Sequence, residues 1–210
     1  MNAQETSELV RASGVIGIVR ARDEATGLEQ ARRVLAAGLP VVEVSLTTPG
    51  GLGTIATLVA EHPDAVVGAG TVLDAETVDR VVDLGGRVVV SPSFQPEVVA
   101  AAVRRGVAVF PGCLTPTEML AARALGATGV KIFPAHLWSP GALAGMLQAL
   151  PDLPCVPTGG IGPDDVGAWI AAGALAAGVG SALTAVDDPA PVVRALRAAV
   201  DDARGEGRGR

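Results

Sequence analysis

The sequence has no tyrosine, two tryptophans and three phenylalanines in 210 residues, too few aromatics for base-stacking platforms. Its two cysteines, Cys113 and Cys155, fall short of a disulfide framework and offer no zinc-ligand spacing. Its two histidines form no H-x-x-H pair and join no carboxylate cluster, so neither a metal nor another cofactor is expected. Positive charge is also short: the formal net charge is −6 and the pI about 4.9, which argues against a nucleic-acid partner. No apolar run is long and clean enough to span a bilayer, and MNAQETSELVRASG lacks the basic-then-apolar layout of a secretory signal. The expectation is a cytoplasmic protein without membrane partners. Lysine is the scarcest of the charged residues. Among sixteen basic residues fifteen are arginine, and the single lysine, Lys131, sits inside the apolar stretch GVKIFP, where a charge is costly unless used or paired.

What is abundant is apolar surface: 49% of residues, with a mean hydropathy of +0.43, which excludes global disorder. Short β-branched runs recur at 15–19, 41–45, 66–69, 88–91, 107–110, 129–133, 154–157 and 174–180. Segments of helical period lie between them, among them 24–37, 75–84, 96–105, 116–125, 163–172 and 189–203. Gly38, Gly106, Gly126 and Gly173 close several helices, while Thr115-Pro116 and Gly162-Pro163 open others. Nearly continuous apolar strands alternating with helices predict an α/β fold with a parallel sheet covered on its outer face. The chain is long enough for a minimal single-domain (β/α)8 TIM barrel. An open doubly wound sheet is the competing reading, but no G-x-G-x-x-G follows the first strand. We assign 1–200 to one domain, with an extra N-terminal helix closing the barrel bottom, and 201–210 to a solvated tail.

In such a barrel, chemistry sits at the C-terminal strand ends, so unexplained polar residues there mark the site. Arg20 closes the first strand, Glu43 lies in the second, Thr71 follows the third and Lys131 lies in the sixth. Period-2 alternation turns Val42, Val44, Val130 and Ile132 toward the helices, so Glu43 and Lys131 both point inward. A buried ion pair without chemistry is the bland alternative, but such a pair stabilises poorly compared with apolar residues. Burial disfavours the ammonium form of an amine, so a buried lysine can attack a ketone and form a Schiff base. A carboxylate beside it can move protons. The seventh and eighth strands end in PTGGIGP and GVGS, where Gly159, Gly160, Gly180 and Ser181 suit a phosphate. Tight βα turns alone would also call for such glycines. His136, His62, Cys113 and Trp169 read as solvated, surface, small buried and packing residues respectively.

The motifs VEVSL, GAGTVL, SPSF, FPGCLTPTE, GVKIFPA, PTGGI and GVGSAL run in order from about residue 14 to about residue 185. Together they resemble the family of 2-keto-3-deoxy-6-phosphogluconate / 4-hydroxy-2-oxoglutarate aldolases. The resemblance implies a class I, metal-free aldolase on a (β/α)8 barrel, a homotrimer, acting on a phosphorylated 2-keto acid. In it Lys131 matches the Schiff-base lysine, Glu43 the general acid/base and Thr71 a pyruvate-binding threonine. Pro92 and Phe133 match residues lining the site, and Thr158, Gly159, Gly160 and Ser181 the phosphate end. The phosphogluconate branch resembles E-V-T-L-R-T after the second strand, and this chain has Thr47 in the arginine's place. FPGCLTPTE, KIFPA and GVGSAL look more similar to the 2-keto-3-deoxy-6-phosphogalactonate branch, where an arginine matching Arg20 is available. Which C4 epimer is cleaved stays open, as does activity on 4-hydroxy-2-oxoglutarate. Two rivals are another phosphosugar barrel enzyme, such as an isomerase, and a non-catalytic phosphosugar-binding barrel.

Overall fold

The computed structural model describes residues 1–206. It opens with helix α1 (Ala3–Ser13), capped by Asn2, whose side chain accepts from Glu5 N while Glu5 reaches back to the Asn2 N–H. Then come β1 (Val15–Val19), α2 (Glu24–Ala36), β2 (Val41–Ser45), α3 (Gly51–Glu61), β3 (Val66–Gly70), α4 (Ala75–Asp83) and β4 (Val88–Val90). The middle holds α5 (Pro96–Arg105), β5 (Ala108–Phe110), β6 (Gly112–Cys113), α6 (Pro116–Ala124) and β7 (Val130–Ile132). After a 3-10 turn (Ala135–Leu137) follow α7 (Pro140–Ala149), β8 (Cys155–Pro157), α8 (Pro163–Ala171), β9 (Ala177–Val179), α9 (Ser181–Thr184) and α10 (Ala190–Glu206). Among the described residues no helix is long and apolar enough to cross a membrane.

All strand pairs are parallel. Six strands form one sheet in the order β5-β4-β3-β2-β1-β9, and three form another, β6-β7-β8. Only Pro111 separates β5 from β6. Proline has no N–H to donate to a ladder, which interrupts the strand there; its carbonyl still accepts from Lys131 N at 2.9 Å. Just past β8, Thr158 bridges in parallel to Gly178 of β9.

Alternation along the strands divides the core in two. Val42, Val44, Val67, Val89, Val109, Val130 and Ile132 pack with the helices in one cluster. Ile16, Val41, Val66, Val88, Val90, Ala108, Phe110 and Val156 pack with one another in a second. Val10 of α1 joins the second cluster and is fully buried, so α1 covers the strands at their N-terminal ends. Removing the fully buried ring of Phe110 to alanine would cost roughly 3–5 kcal/mol.

The expected helix closers Gly38, Gly106, Gly126 and Gly173 all adopt positive φ, between 68° and 100°. The last three strands are shorter than their apolar runs, β9 covering only Ala177–Val179 of the run 174–180. Helices α3 and α7 carry little polar contrast (GLGTIATLVAE and PGALAGMLQA), which hides them from a reading of period. The tail expectation needs correcting. Helix α10 continues to Glu206, so Asp201–Glu206 are helical, with Arg204 donating to the carbonyls of Ala12 and Arg11. Residues 207–210 of that expected tail lie outside the described residues.

Candidate active site

Glu43 pairs in register with Ile18 on one side and Gly68 on the other, and Lys131 with Gly112 and Val156. Both side chains therefore emerge on the inner face, above the second apolar cluster. Their exposures are 3% and 7%, and Lys131 Nζ stands 3.8 Å from Glu43 Oε1. Space for the carboxyl comes from Gly70, where a Cβ would lie 2.6 Å from Oε1. Burial pushes the Glu43 carboxyl above its ordinary pKa, against the opposing pull of the Lys131 and Arg20 charges. The ring of Phe133 lies 5.0 Å from Lys131 Nζ and covers the amine.

These residues open onto a cavity of about 330 Å³. Arg20, Glu43, Lys131, Phe133, Thr158, Gly159, Gly160, Gly180 and Ser181 all line it, uniting residues from both sheets. Gly159 and Gly160 turn the chain at φ 112° and 74°, conformations that side-chain-bearing residues rarely adopt. Thr158 lies tight against β9, where a Cβ on Gly178 would come 2.4 Å from its Oγ1.

Three expected site residues stand apart from this lining. Thr47 and Thr71 are tied to it indirectly, each within hydrogen-bond distance of Ser45 Oγ, which accepts from Arg20 Nε. Pro92 is half-buried beneath β6, its carbonyl 2.2 Å from where a Cβ on Gly112 would stand. Arg20 does not pair with either acid that could neutralise it. Glu43 pairs with Lys131, while Asp23 pairs with Arg22 and caps α2. Ser45, Ile18, Ile161 and Thr184 were not singled out from the sequence. Ser45 carried a signal, since it shares the inner face of β2 with Glu43 two residues earlier.

The remaining candidates behave as packing or surface residues. Cys113 and Cys155 are buried, and burial pushes both thiols up to about 12. Trp169 belongs to the helix-side cluster, and His136 is exposed. Among the described residues no three His, Cys, Asp or Glu side chains stand together as a metal-ion cluster.

An amine and a carboxyl buried side by side over one cavity, at the C-terminal ends of parallel strands, are the equipment of a Schiff-base lyase. The class of protein is the aldolases. The chain belongs to the KDPG and KHG aldolase family, whose family model matches residues 6–191. It is 37% identical over 163 residues to a probable 2-dehydro-3-deoxy-6-phosphogalactonate aldolase of Rhizobium meliloti (strain 1021), covering 77% of this chain and 76% of that one. It is 36% identical over 171 residues to the 2-dehydro-3-deoxy-6-phosphogalactonate aldolase of Escherichia coli (strain K12), covering 80% and 83%. A solved structure described as native KDPGal superposes with a TM-score of 0.83 at 32% identity, over 91% of this chain and 96% of that one. A KDPG aldolase from Legionella pneumophila, holding pyruvate as a covalent carbinolamine intermediate, gives a TM-score of 0.78 at 25% identity, over 92% and 97%.

Proposed function

We propose that the protein cleaves a phosphorylated 2-keto-3-deoxy sugar acid, of gluconate or galactonate type, to pyruvate and glyceraldehyde 3-phosphate, and accepts 4-hydroxy-2-oxoglutarate by the same chemistry. The observation that carries this reading is the 3.8 Å approach of Lys131 Nζ to Glu43 Oε1 over the cavity. Lys131 Nζ attacks the C2 ketone, and the carbinolamine loses water with a proton from Glu43 to give an iminium. Glu43 then takes the C4 hydroxyl proton. The C3–C4 electron pair moves into the iminium, and the aldehyde leaves. The resulting enamine is protonated at C3, and water hydrolyses the iminium, returning pyruvate and the free amine. A carboxyl raised by burial suits both the giving and the taking of that proton.

Arg20, with Thr47 and Thr71 behind it, holds the substrate carboxylate. Its planar fork matches that group, and among the described residues no acid forms an ion pair with it. Phe133 and Pro92 enclose the keto end. Thr158, Gly159, Gly160, Gly180 and Ser181 receive the phosphate. One (β/α)8 barrel over residues 1–200 is the architecture we infer. Reading β5 and β6 as one strand around Pro111 gives eight, and the Thr158–Gly178 bridge joins the two sheets on the far side. We further infer a cytoplasmic homotrimer. The exposed Leu73, Leu114, Leu120, Leu125 and Leu137 support burial against another copy. A solved cage built by fusing symmetric oligomeric domains also resembles this chain, with a TM-score of 0.84 at 32% identity, over 92% of this chain and 74% of that one.

Borohydride reduction in the presence of pyruvate tests the reading. A stable adduct should form on Lys131 and vanish in Lys131→Ala, whose kcat should fall below about a hundredth of the unaltered rate. An isomerase or a non-catalytic binding barrel would form no adduct.

A further inference from the structure

Ser45, which takes no part in the steps above, is the junction of three other side chains. Its Oγ lies 3.4 Å from Arg20 Nε, 2.8 Å from Thr47 Oγ1 and 2.9 Å from Thr71 Oγ1. It is 1% exposed, so no solvent competes for it. A serine hydroxyl has one proton and two lone pairs, and arginine can only donate. Arg20 therefore occupies one lone pair, and the other lone pair and the proton are left for the two threonines. One threonine must give its proton to Ser45. The other receives the Ser45 proton and keeps its own to offer outward. Three hydroxyls that would otherwise rotate independently become one ordered set, coupled to the guanidinium.

Thr71 adds a second observation. It holds φ at 63°, a left-handed conformation that is an outlier for a β-branched residue. Such strain persists only where surrounding contacts over-determine it. Here the hydroxyl bond from the end of β2 reaches the residue just past β3 and fixes it.

We propose that Ser45 is a positioning residue: through Arg20 and Thr71 it sets the geometry of the carboxylate pocket, and so governs capture of the keto acid more than cleavage of its bond. The inference rests on the Schiff-base reading above. Pyruvate is the probe, and borohydride trapping on the full chain gives both a half-saturating concentration and a limiting rate. In Ser45→Ala the half-saturating pyruvate should rise about tenfold, as when one hydrogen bond in a charged pocket is lost. The limiting rate should fall less than about threefold. Ser45→Thr returns the hydroxyl and should bring half-saturation back to within about threefold of the unaltered protein. In an Arg20→Ala background, Ser45→Ala should add clearly less than its tenfold effect alone, because one of the two groups it positions has gone. Unchanged half-saturation in folded Ser45→Ala, failure of folded Ser45→Thr to restore it, or full multiplication of the two effects would overturn the proposal. If Ser45→Ala does not fold, Ser45→Cys, a near-isostere with a weak hydrogen-bonding thiol, carries the same expectation. An unaltered protein that forms no adduct removes the Schiff-base reading and this inference together. An adduct that is insensitive to Ser45→Ala removes this inference alone.

Discussion

A methyl group added at Gly70 would press on the Glu43 carboxyl without replacing any reacting residue. Gly70 ends β3, in register with Ser45, and its backbone is outside the positive-φ region, so alanine brings no torsional strain. The new Cβ would lie 2.6 Å from Glu43 Oε1 and 2.9 Å from its Cδ. Reaching ordinary contact at 3.4 Å requires a retreat of about 0.8 Å by the carboxyl. That retreat alters the approach to Lys131, now 3.8 Å away. Misplacing a catalytic group by about 1 Å costs about 10²-fold in rate, so Gly70→Ala should lose one to two orders of magnitude in kcat. Because the clash is with a side chain end and not with backbone, Tm should change by only a few degrees. The assay is aldol cleavage followed by pyruvate release, with a thermal melt on the same sample. A folded Gly70→Ala enzyme within threefold of the unaltered rate would refute the placement of Glu43 in the mechanism.

Glu43→Gln should lose about 10²–10⁴ in rate while pyruvate trapping persists slowly, and a near-unaltered rate would remove Glu43 from the proton transfers. Its raised pKa keeps the carboxyl protonated to higher pH than usual. The step that needs the carboxylate should therefore fade as pH falls through that raised value, an acidic limb lying above the ordinary carboxylate range and absent in Glu43→Gln. Arg20→Ala should cost about 2–3 kcal/mol in kcat/KM, with pyruvate as well as with phosphorylated substrates. A loss confined to phosphorylated substrates would reassign it to the phosphate. The two buried thiols, pushed up to about 12, should resist a disulfide reagent at pH 8 in the native protein, and rapid stoichiometric labelling would contradict their burial.

Period-2 alternation carried much of this molecule into view. It places Glu43 and Lys131 on the inner face, and the structure brings them together from separate sheets. Lys131 stands out because the sequence has no other lysine, and Arg20 because it ends a strand whose other residues are apolar. Ser45 is less legible, since a serine at a strand end is ordinary until its three partners converge from β1, the loop after β2 and the end of β3. The run 107–110 stops before Pro111 and leaves out β6, a two-residue strand too short to show any period. The helical state of Arg204–Glu206, beyond the periodic segment 189–203, goes with contacts of α10 that span nearly the whole chain, such as Arg204 to Ala12, and no local pattern contains them.

Among the described residues, the valines packed beneath the site, with Val10 of α1 below them, fill the interior toward the strand starts. Traffic is therefore one-doored. Sugar acid, departing aldehyde, hydrolytic water and pyruvate all share one threshold, flanked by Arg20 and the turn at Gly159 and Gly160. Pyruvate comes last, and while it lingers it bars the next sugar acid. In the synthetic direction the same queue runs backward, with pyruvate the compulsory first guest.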